Sequence, residues 1–264
     1  MVIIDHTGRN IHVDGVPKRI ISLVPSITEL LFDLGLEDQI FGITKFCIHP
    51  STAKKNKKIV GGTKNIKTNL IRALQPDIIL CNKEENTAEI VQICEKICPV
   101  HVTDIFTLED TRKMIIDYGT IFNKKLEAKA INKKLEDKLN DFKIFIRDKP
   151  RLKVAYFIWR NPWMVAANNT FINHLLALNK FENIYLNKQR YPEVELNKID
   201  LEGNPDLIFL SSEPYPFKEE HILDIKSYLT NTKIILVDGE LFSWYGTRLL
   251  KSFEYFKKLR NIFN

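Results

Sequence analysis

Side chains suited to ligand recognition follow directly after the predicted β-strands of this sequence. All three tryptophans, Trp159, Trp163 and Trp244, lie there and not in the apolar stripe of a predicted helix. Aromatic rings offer large apolar faces at a small entropic cost, and nearby arginines can pair with carboxylates or phosphates. The pattern indicates a site for a ligand with a broad apolar face, although the same rings could instead form a hydrophobic core.

Two carboxylates occupy matching places in two similar stretches. QPDIILCNKE (residues 75–84) ends at Glu84, and NPDLIFLSSE (residues 204–213) ends at Glu213. We expect these glutamates to accept hydrogen bonds from ligand amides or to pair with Lys64 or an arginine. The full set of residues that we predict to contact a ligand is Pro25, Ser26, Phe46, His49, Gly62, Thr63, Lys64, Glu84, Glu85, Trp159, Arg160, Trp163, Arg190, Tyr191, Glu213, Tyr215, Phe242, Trp244, Tyr245 and Arg248.

The sequence gives less support to a metal site or to catalysis than to ligand binding. His49, in the stretch KFCIHP, could ligate a metal ion, but a single histidine in a loop does not define a metal site. Cys94, Cys98 and His101 form C-x3-C-x2-H, whereas zinc knuckles use C-x2-C pairs, so we expect buried, reduced thiols there. An enzyme using Cys47, His49 and a cleft carboxylate is disfavoured because the sequence contains no nucleophile elbow and no phosphate-binding loop. We therefore predict no catalysis, no metal site and no required cofactor.

Strands alternate with helices along the chain, and each strand is a continuous apolar run. That pattern is typical of an α/β fold with mainly parallel sheets. The second half repeats the order of the first, so we predict two similar lobes joined by one long helix, with a ligand cleft between them. The predicted bounds are 1–106 for the N-terminal lobe, 107–149 for the connecting helical segment and 150–264 for the C-terminal lobe.

Three predicted helices have particular boundaries. The first begins with Ser26 as its N-cap, with Glu29 completing a capping box, and ends before Gly35. The long connecting helix spans residues 124–146, and the last helix spans residues 246–262. The apolar face of the connecting helix is predicted to carry Leu126, Ala130, Leu135, Leu139, Phe142 and Phe145.

Composition and the chain start exclude several classes of protein. The 39 Lys and Arg residues exceed the 33 Asp and Glu residues, but the basic residues are spread and not gathered into a patch, so we expect no nucleic-acid partner. The start lacks a basic segment followed by an apolar run and lacks a cysteine for lipid attachment. If Met1 is the native start, we expect a cytoplasmic protein; a trimmed chain would be periplasmic or at the cell surface.

Several stretches together resemble a known family. PKRIISLVPSITELLFDLGLEDQIFGIT, GGTKN, LQPDIIL, NPDLIFL and the long middle helix are similar to class III periplasmic substrate-binding proteins, the vitamin B12, haem and iron-siderophore receptors of ABC importers. The likeness is greatest to the vitamin B12-binding branch. It implies a rigid, two-lobed, noncatalytic receptor for a large metal-bearing nutrient, with a corrinoid favoured over haem or an iron-siderophore. We expect a monomer.

The resemblance also implies a transporter permease as partner, but two positions depart from the family pattern. Members that dock on an importer usually carry a surface glutamate in each lobe, and the matching positions here are Asn69 and Lys198. Loss of both carboxylates removes the charge pairs that such docking uses. The alternative is a cytoplasmic ligand sensor or carrier on the same fold that does not dock on an importer.

Overall fold

The computed structural model describes residues 1–229 and 232–263. The chain divides into two compact units: the first comprises Met1–Glu136 and Trp244–Leu249, and the second comprises Asp137–Ser243 and Leu250–Asn264. The first unit is therefore completed by a short segment from late in the chain. The division into lobes at residues 106 and 150 stays a prediction.

The first unit is built on a parallel sheet whose strands run in the order β5–β4–β3–β6–β7, and a separate antiparallel hairpin, β1–β2, precedes it. Its strands are β1 (Val2–Ile4), β2 (Asn10–His12), β3 (Ile20–Ser22), β4 (Ile40–Ile43), β5 (Lys58–Ile59), β6 (Ile78–Asn82) and β7 (Val100–Thr103). Strand β6 is buried along its whole length, as expected for a central strand covered on both faces.

The helices of the first unit do not all begin with a side-chain cap. They are α1 (Pro25–Asp33), α2 (Ala53–Asn56), α3 (Thr68–Ala73), α4 (Ala88–Glu95) and α5 (Leu108–Ile121). The prediction of Ser26 as N-cap was wrong, because Pro25 already occupies the first turn and Val24 is the N-cap. Gly35 follows α1 with φ +71°, in agreement with the predicted helix end.

The second unit repeats the plan with a sheet in the order β10–β8–β11–β12, in which these strands are parallel and β9 pairs antiparallel with β8. Its strands are β8 (Leu152–Trp159), β9 (Met164–Val165), β10 (Phe181–Asn183), β11 (Leu207–Ser211) and β12 (Lys233–Val237). Its helices after the connecting helix are α7 (Phe171–Leu178), α8 (Ile199–Glu202), α9 (Glu219–Lys226), α10 (Gly239–Ser243) and α11 (Leu249–Asn261). The predicted α/β class with mainly parallel sheets is thus confirmed. The last helix begins at Leu249 and not at Gly246, because Gly246–Arg248 forms a separate 3-10 turn.

The chain first passes from one unit to the other within a long helix, α6 (Lys125–Ile146). Its 22 residues make it about 33 Å long at 1.5 Å per residue, which confirms the predicted long helix. The predicted apolar face was partly wrong, since Leu126 is 81% exposed. The buried face instead includes Ala128, Ile131, Leu135, Phe142 and Ile146.

The two Pro-Asp stretches have the same structural role in each unit. The carboxylate of Asp77 accepts hydrogen bonds from the backbone N–H groups of Lys18 (2.7 Å) and Arg19 (3.0 Å), just before β3. Asp206 accepts one from the backbone N–H of Lys153 in β8, at 2.7 Å. Each aspartate therefore anchors the start of the neighbouring strand.

Candidate functional site

The predicted ligand contacts of the first unit follow the carboxyl ends of its parallel strands. Because parallel strands end at the same edge of a sheet, the loops after β3, β4, β5 and β6 lie at one edge, where open α/β sheets bind ligands. The loop after β4 contains the buried residue Cys47. Its Sγ lies 3.1 Å from Thr28 Oγ1 and 3.2 Å from Thr44 Oγ1. Burial raises the pKa of the Cys47 thiol, although hydrogen bonds from both threonines oppose the shift. A protonated, buried thiol suits a structural role and not a nucleophile.

Phe46, on the same loop, presents an aromatic ring to solvent. Its side chain is 48% exposed, and the Lys45 ammonium lies 4.9 Å from the ring centroid. Gly62 allows this arrangement, since a Cβ there would come within 3.1 Å of Phe46 Cε2. A larger residue at this position would therefore push the Phe46 ring aside.

The loops after β5 and β6 are joined by a buried amide that the sequence analysis did not select. Asn86 Nδ2 donates to the carbonyl of Thr63 at 3.0 Å, and the Lys64 ammonium donates to the carbonyl of Glu84 at 2.7 Å. Burial raises the pKa of Glu85, while Lys64 and a hydrogen bond from Thr63 partly offset the rise. Asn86 could have been identified from the sequence, because it lies in a polar loop directly after a strand.

The late segment Trp244–Leu249 supplies further residues to the first unit. The rings of His49 and Trp244 meet edge to face at 5.4 Å between centroids. Arg248 packs its guanidinium 5.1 Å from the Trp244 ring centroid, and its Nε donates to Glu29 Oε2 at 2.8 Å. Both members of this ion pair are buried. Arg248 thus has a carboxylate partner within the protein, where the sequence had suggested a partner on the ligand.

Three other predicted contacts of this unit are buried: Pro25, Ser26 and Tyr245. Burial raises the pKa of Tyr245, the Glu85 charge adds to the shift, and hydrogen bonds with Ser26 and Thr103 oppose it. The buried Tyr245 side chain therefore stays a neutral phenol.

The second unit gathers aromatic residues after β8 and β11 into one connected group. We call it the second-unit aromatic cluster; its members are Trp159, Trp163, Tyr215, Phe217 and His221. Trp159 is 39% exposed and meets Tyr215 edge to face at 5.7 Å, whereas Trp163 stacks nearly parallel on Phe217. The cluster contains three of the predicted contacts, together with Phe217 and His221, which the sequence analysis did not select.

Other predicted contacts of the second unit have structural partners. Arg160 pairs with Asp224 at 2.8 Å and lies 5.8 Å from the Trp163 ring centroid. Glu213 accepts a hydrogen bond from the Ser243 hydroxyl at 2.7 Å. Phe242 is fully buried and packs on Phe256, because it faces the core of this unit.

Arg190 and Tyr191 lie in a separate segment of the second unit. The backbone N–H of Arg190 donates to the carbonyl of Asn168 at 2.8 Å, and the carbonyl of Arg190 accepts from the N–H of Ala167 at 2.8 Å. The Arg190 guanidinium lies 5.8 Å from the Tyr191 ring centroid. These contacts align the segment beside residues 167–168.

A cavity of about 620 Å³ also opens in the second unit. It shares only Trp163 with the predicted contacts, and the ion pair of Lys198 with Glu195 lies in its wall. Its lining residues are Pro162, Trp163, Lys188, Glu193, Val194, Glu195, Leu196, Asn197, Lys198, Glu202 and Tyr228.

Within the described parts of the chain, no three or more His, Cys, Asp or Glu side chains converge on a position that could hold a metal ion. Cys94 and Cys98 are free thiols there, and His101 is fully buried. Over the same residues, no helix combines the length and the apolar character needed to span a membrane.

Comparison with known proteins identifies several similar chains. A family model described as "Periplasmic binding protein" matches residues 20–229. An uncharacterized ABC transporter substrate-binding lipoprotein of Bacillus subtilis (strain 168) is 25% identical over 95% of this chain and 82% of its own length. A vitamin B12-binding protein of Pectobacterium carotovorum is 23% identical over 89% of this chain and 85% of its own. The structure of a periplasmic haem-binding protein from Roseiflexus sp. RS-1 superposes with a TM-score of 0.80 and 17% identity, covering 93% of this chain and 98% of that one, which shows a shared fold.

These comparisons correct the expected location. The prediction of a cytoplasmic protein was wrong, because the similar proteins are named as periplasmic or as lipoproteins. The inference failed because it rested on the first residues of the sequence and not on the fold.

Proposed function

This chain belongs to the periplasmic binding protein family, and from that membership we propose that it is the noncatalytic substrate-binding component of an ABC importer for a corrinoid. The observation that carries the proposal is the alignment of relatives named vitamin B12-binding proteins with most of this chain. The predicted cleft between two lobes stays a prediction.

The exposed rings support a flat ligand. Phe46 in the first unit and Trp159 in the second are large, exposed aromatic side chains; Phe46 lies in the loop after β4, and Trp159 is the last residue of β8. Aromatic faces of this kind bury much apolar area without losing many rotamers. A corrin ring offers them a broad apolar face.

The charged groups favour a corrinoid over haem. Haem carries two carboxylates that need cations, yet the guanidinium of Arg248 is paired with Glu29 and that of Arg160 with Asp224. A corrinoid instead carries neutral amides at its rim, which pair with hydrogen-bond donors and acceptors such as the Glu85 carboxyl. We therefore rank a corrinoid first and haem or an iron-siderophore second.

Titration calorimetry of the purified protein with cyanocobalamin, dicyanocobinamide, haemin and ferrichrome tests this ranking. We expect saturable binding of a corrinoid at micromolar or lower concentration, and weaker binding in Trp159→Ala. Ile144→Ala is a control, because Ile144 is a 70% exposed apolar side chain of α6, outside the predicted contacts and outside the cavity wall. Tighter binding of haemin or ferrichrome would overturn the ranking, and binding of none of the four would overturn the proposal.

A membrane permease is the partner that this function requires. Asn69 and Lys198 are both exposed, and the Lys198 ammonium is paired with Glu195. Neither position carries a carboxylate in this chain. We expect that introducing carboxylates in the double variant Asn69→Glu/Lys198→Glu strengthens capture of the protein by a B12-importer permease in detergent. Equal or weaker capture would show that this chain docks through other residues. A monomeric state stays a prediction.

A further inference from the structure

His221 occupies a helix-capping position that fixes its protonation pattern. It is the third residue of α9 and is 5% exposed, and its Nδ1 accepts a hydrogen bond from the backbone N–H of Lys218 at 2.8 Å. Glutamate or glutamine usually fills this place in a capping box. Because a backbone N–H can only donate, Nδ1 must present its lone pair.

The other ring nitrogen of His221 must then carry the proton. A neutral imidazole with an accepting Nδ1 is protonated at Nε2 and donates from it. Nε2 lies 3.2 Å from the hydroxyl oxygen of Tyr215, whereas the nearest carboxylate oxygen of Glu220 lies 3.8 Å away, beyond hydrogen-bond distance. His221 therefore donates to Tyr215, and Tyr215 accepts.

The hydroxyl hydrogen of Tyr215 is thereby left for another acceptor. In the part of the chain that the structure describes, His221 is the only hydrogen-bond partner of this hydroxyl. The Tyr215 ring is partly buried and packs edge to face on the exposed Trp159. An O–H donor thus lies beside an exposed aromatic face.

We propose that His221 is a positioning residue that holds Tyr215 as a hydrogen-bond donor to the ligand. The pair selects ligands that present an oxygen or nitrogen acceptor beside a flat apolar face, such as an amide carbonyl at the rim of a macrocycle. This inference rests on the proposed function for its ligand, but its hydrogen-bond polarity is a property of the protein alone.

Three variants separate this role from simple helix capping. Both His221→Glu and His221→Gln keep an acceptor for the Lys218 N–H, so both keep the cap. The glutamine amide also donates to Tyr215, whereas the glutamate carboxylate accepts the Tyr215 hydroxyl hydrogen and removes the donor from the ligand. Tyr215→Phe removes the hydroxyl altogether.

Calorimetry with cyanocobalamin measures the effect, and urea unfolding verifies that each variant is folded. Loss of one hydrogen bond should weaken binding about 10-fold in His221→Glu and in Tyr215→Phe, while His221→Gln stays within about 3-fold of wild type. The double variant His221→Glu/Tyr215→Phe should bind no worse than Tyr215→Phe alone. Wild-type affinity in His221→Glu, or additive losses in the double variant, would overturn the inference.

The tautomer can be read without any ligand. Long-range nitrogen–proton correlation NMR of isotope-labelled protein should show His221 protonated at Nε2 in the wild type, with the signal assigned by its absence in His221→Gln. Protonation at Nδ1 would overturn the inference even if corrinoids bind. Failure of every probe to bind the wild type, with His221 protonated at Nε2, would overturn the proposed function and leave the deduced polarity supported.

Discussion

His101 makes the stability of the first unit depend on pH. The residue lies on edge strand β7 and is fully buried. The centroid of its ring lies 6.1 Å from that of the His6 ring and 5.3 Å from that of the Tyr118 ring. Neither of its ring nitrogens has a hydrogen-bond partner in the described chain. Burial lowers the pKa of His101 from 6.5 to about 4; the charges of Asp5 and Asp117 oppose this shift, and those of His6 and Lys113 add to it. The folded protein therefore holds this imidazole neutral.

The sign of the effect follows from the lowered pKa. As pH falls below 6.5, the unfolded chain takes up a proton at His101 while the folded chain does not, so stability present at neutral pH is lost between pH 6.5 and about 4. A pKa difference of about 2.5 between the unfolded and the folded chain contributes at most about 3 kcal/mol to the free energy of unfolding. About 2 kcal/mol of this is lost between pH 7 and pH 5.

Urea unfolding at these two pH values tests the prediction with His101→Phe. The free energy of unfolding should fall by about 2 kcal/mol more in the wild type than in the variant. At pH 7 the substitution should cost little, because no hydrogen bond is lost and an aromatic ring is kept. Asp5 and Asp117, whose pKa values are lowered despite burial, lose their contributions only at lower pH.

His12→Gln is the matched control, since His12 is exposed on strand β2. It should follow the wild type at both pH values. If His101→Phe is too large for the site, His101→Leu replaces it. Parallel losses in wild type and in the folded His101 variant would refute the assignment of the pH dependence to this residue.

Three further predictions concern residues of the first unit. Glu29→Leu should lower the free energy of unfolding by about 3–5 kcal/mol, because it removes the carboxylate beside the buried Arg248 guanidinium; a loss below about 1 kcal/mol in urea would contradict this. Cys47 should react with a thiol reagent only as fast as the protein opens, because its thiol is buried and burial raises its pKa; rapid labelling of the native protein would speak against the structural role. Gly62→Val should displace Phe46 and weaken cyanocobalamin binding with little change in urea stability, and unchanged calorimetric affinity would remove Phe46 from the site.

The alternation of apolar runs and helical segments was enough to predict both parallel sheets and the long helix α6. Helix boundaries were less predictable, because a serine that could be an N-cap and a proline that favours the first turn predict different starts for the same helix. In α1 the helix begins at Pro25, and Ser26 lies inside it. The apolar face of α6 was misjudged at Leu126 because helical spacing shows which residues share a face, but not where that face meets other elements.

The candidate site was predictable only as a set of loops. Trp159 and Phe46 were identified because an aromatic residue near the carboxyl end of a predicted strand can be recognised in a sequence; in the structure Trp159 is the last residue of β8 and Phe46 follows β4. His221 was missed because nothing in the local sequence shows that its side chain has two partners. It accepts a hydrogen bond from the backbone N–H of Lys218, and its other ring nitrogen contacts the Tyr215 hydroxyl. Arg248 was assigned to the ligand because its partner Glu29 is 219 residues away, and no local pattern links the two.

The ion pair of Glu29 and Arg248 explains how a buried charge can serve a binding site. Burying both charges costs desolvation energy, and an apolar pair of similar volume could be as stable. An apolar pair would tolerate several registers of the segment Trp244–Leu249, whereas the 2.8 Å hydrogen bond from Arg248 Nε to Glu29 fixes one. In that register the guanidinium lies 5.1 Å from the centroid of the Trp244 ring, which meets the His49 ring edge to face. The contacts proposed at His49 and Trp244 therefore depend on Glu29 and Arg248, two residues that are themselves buried.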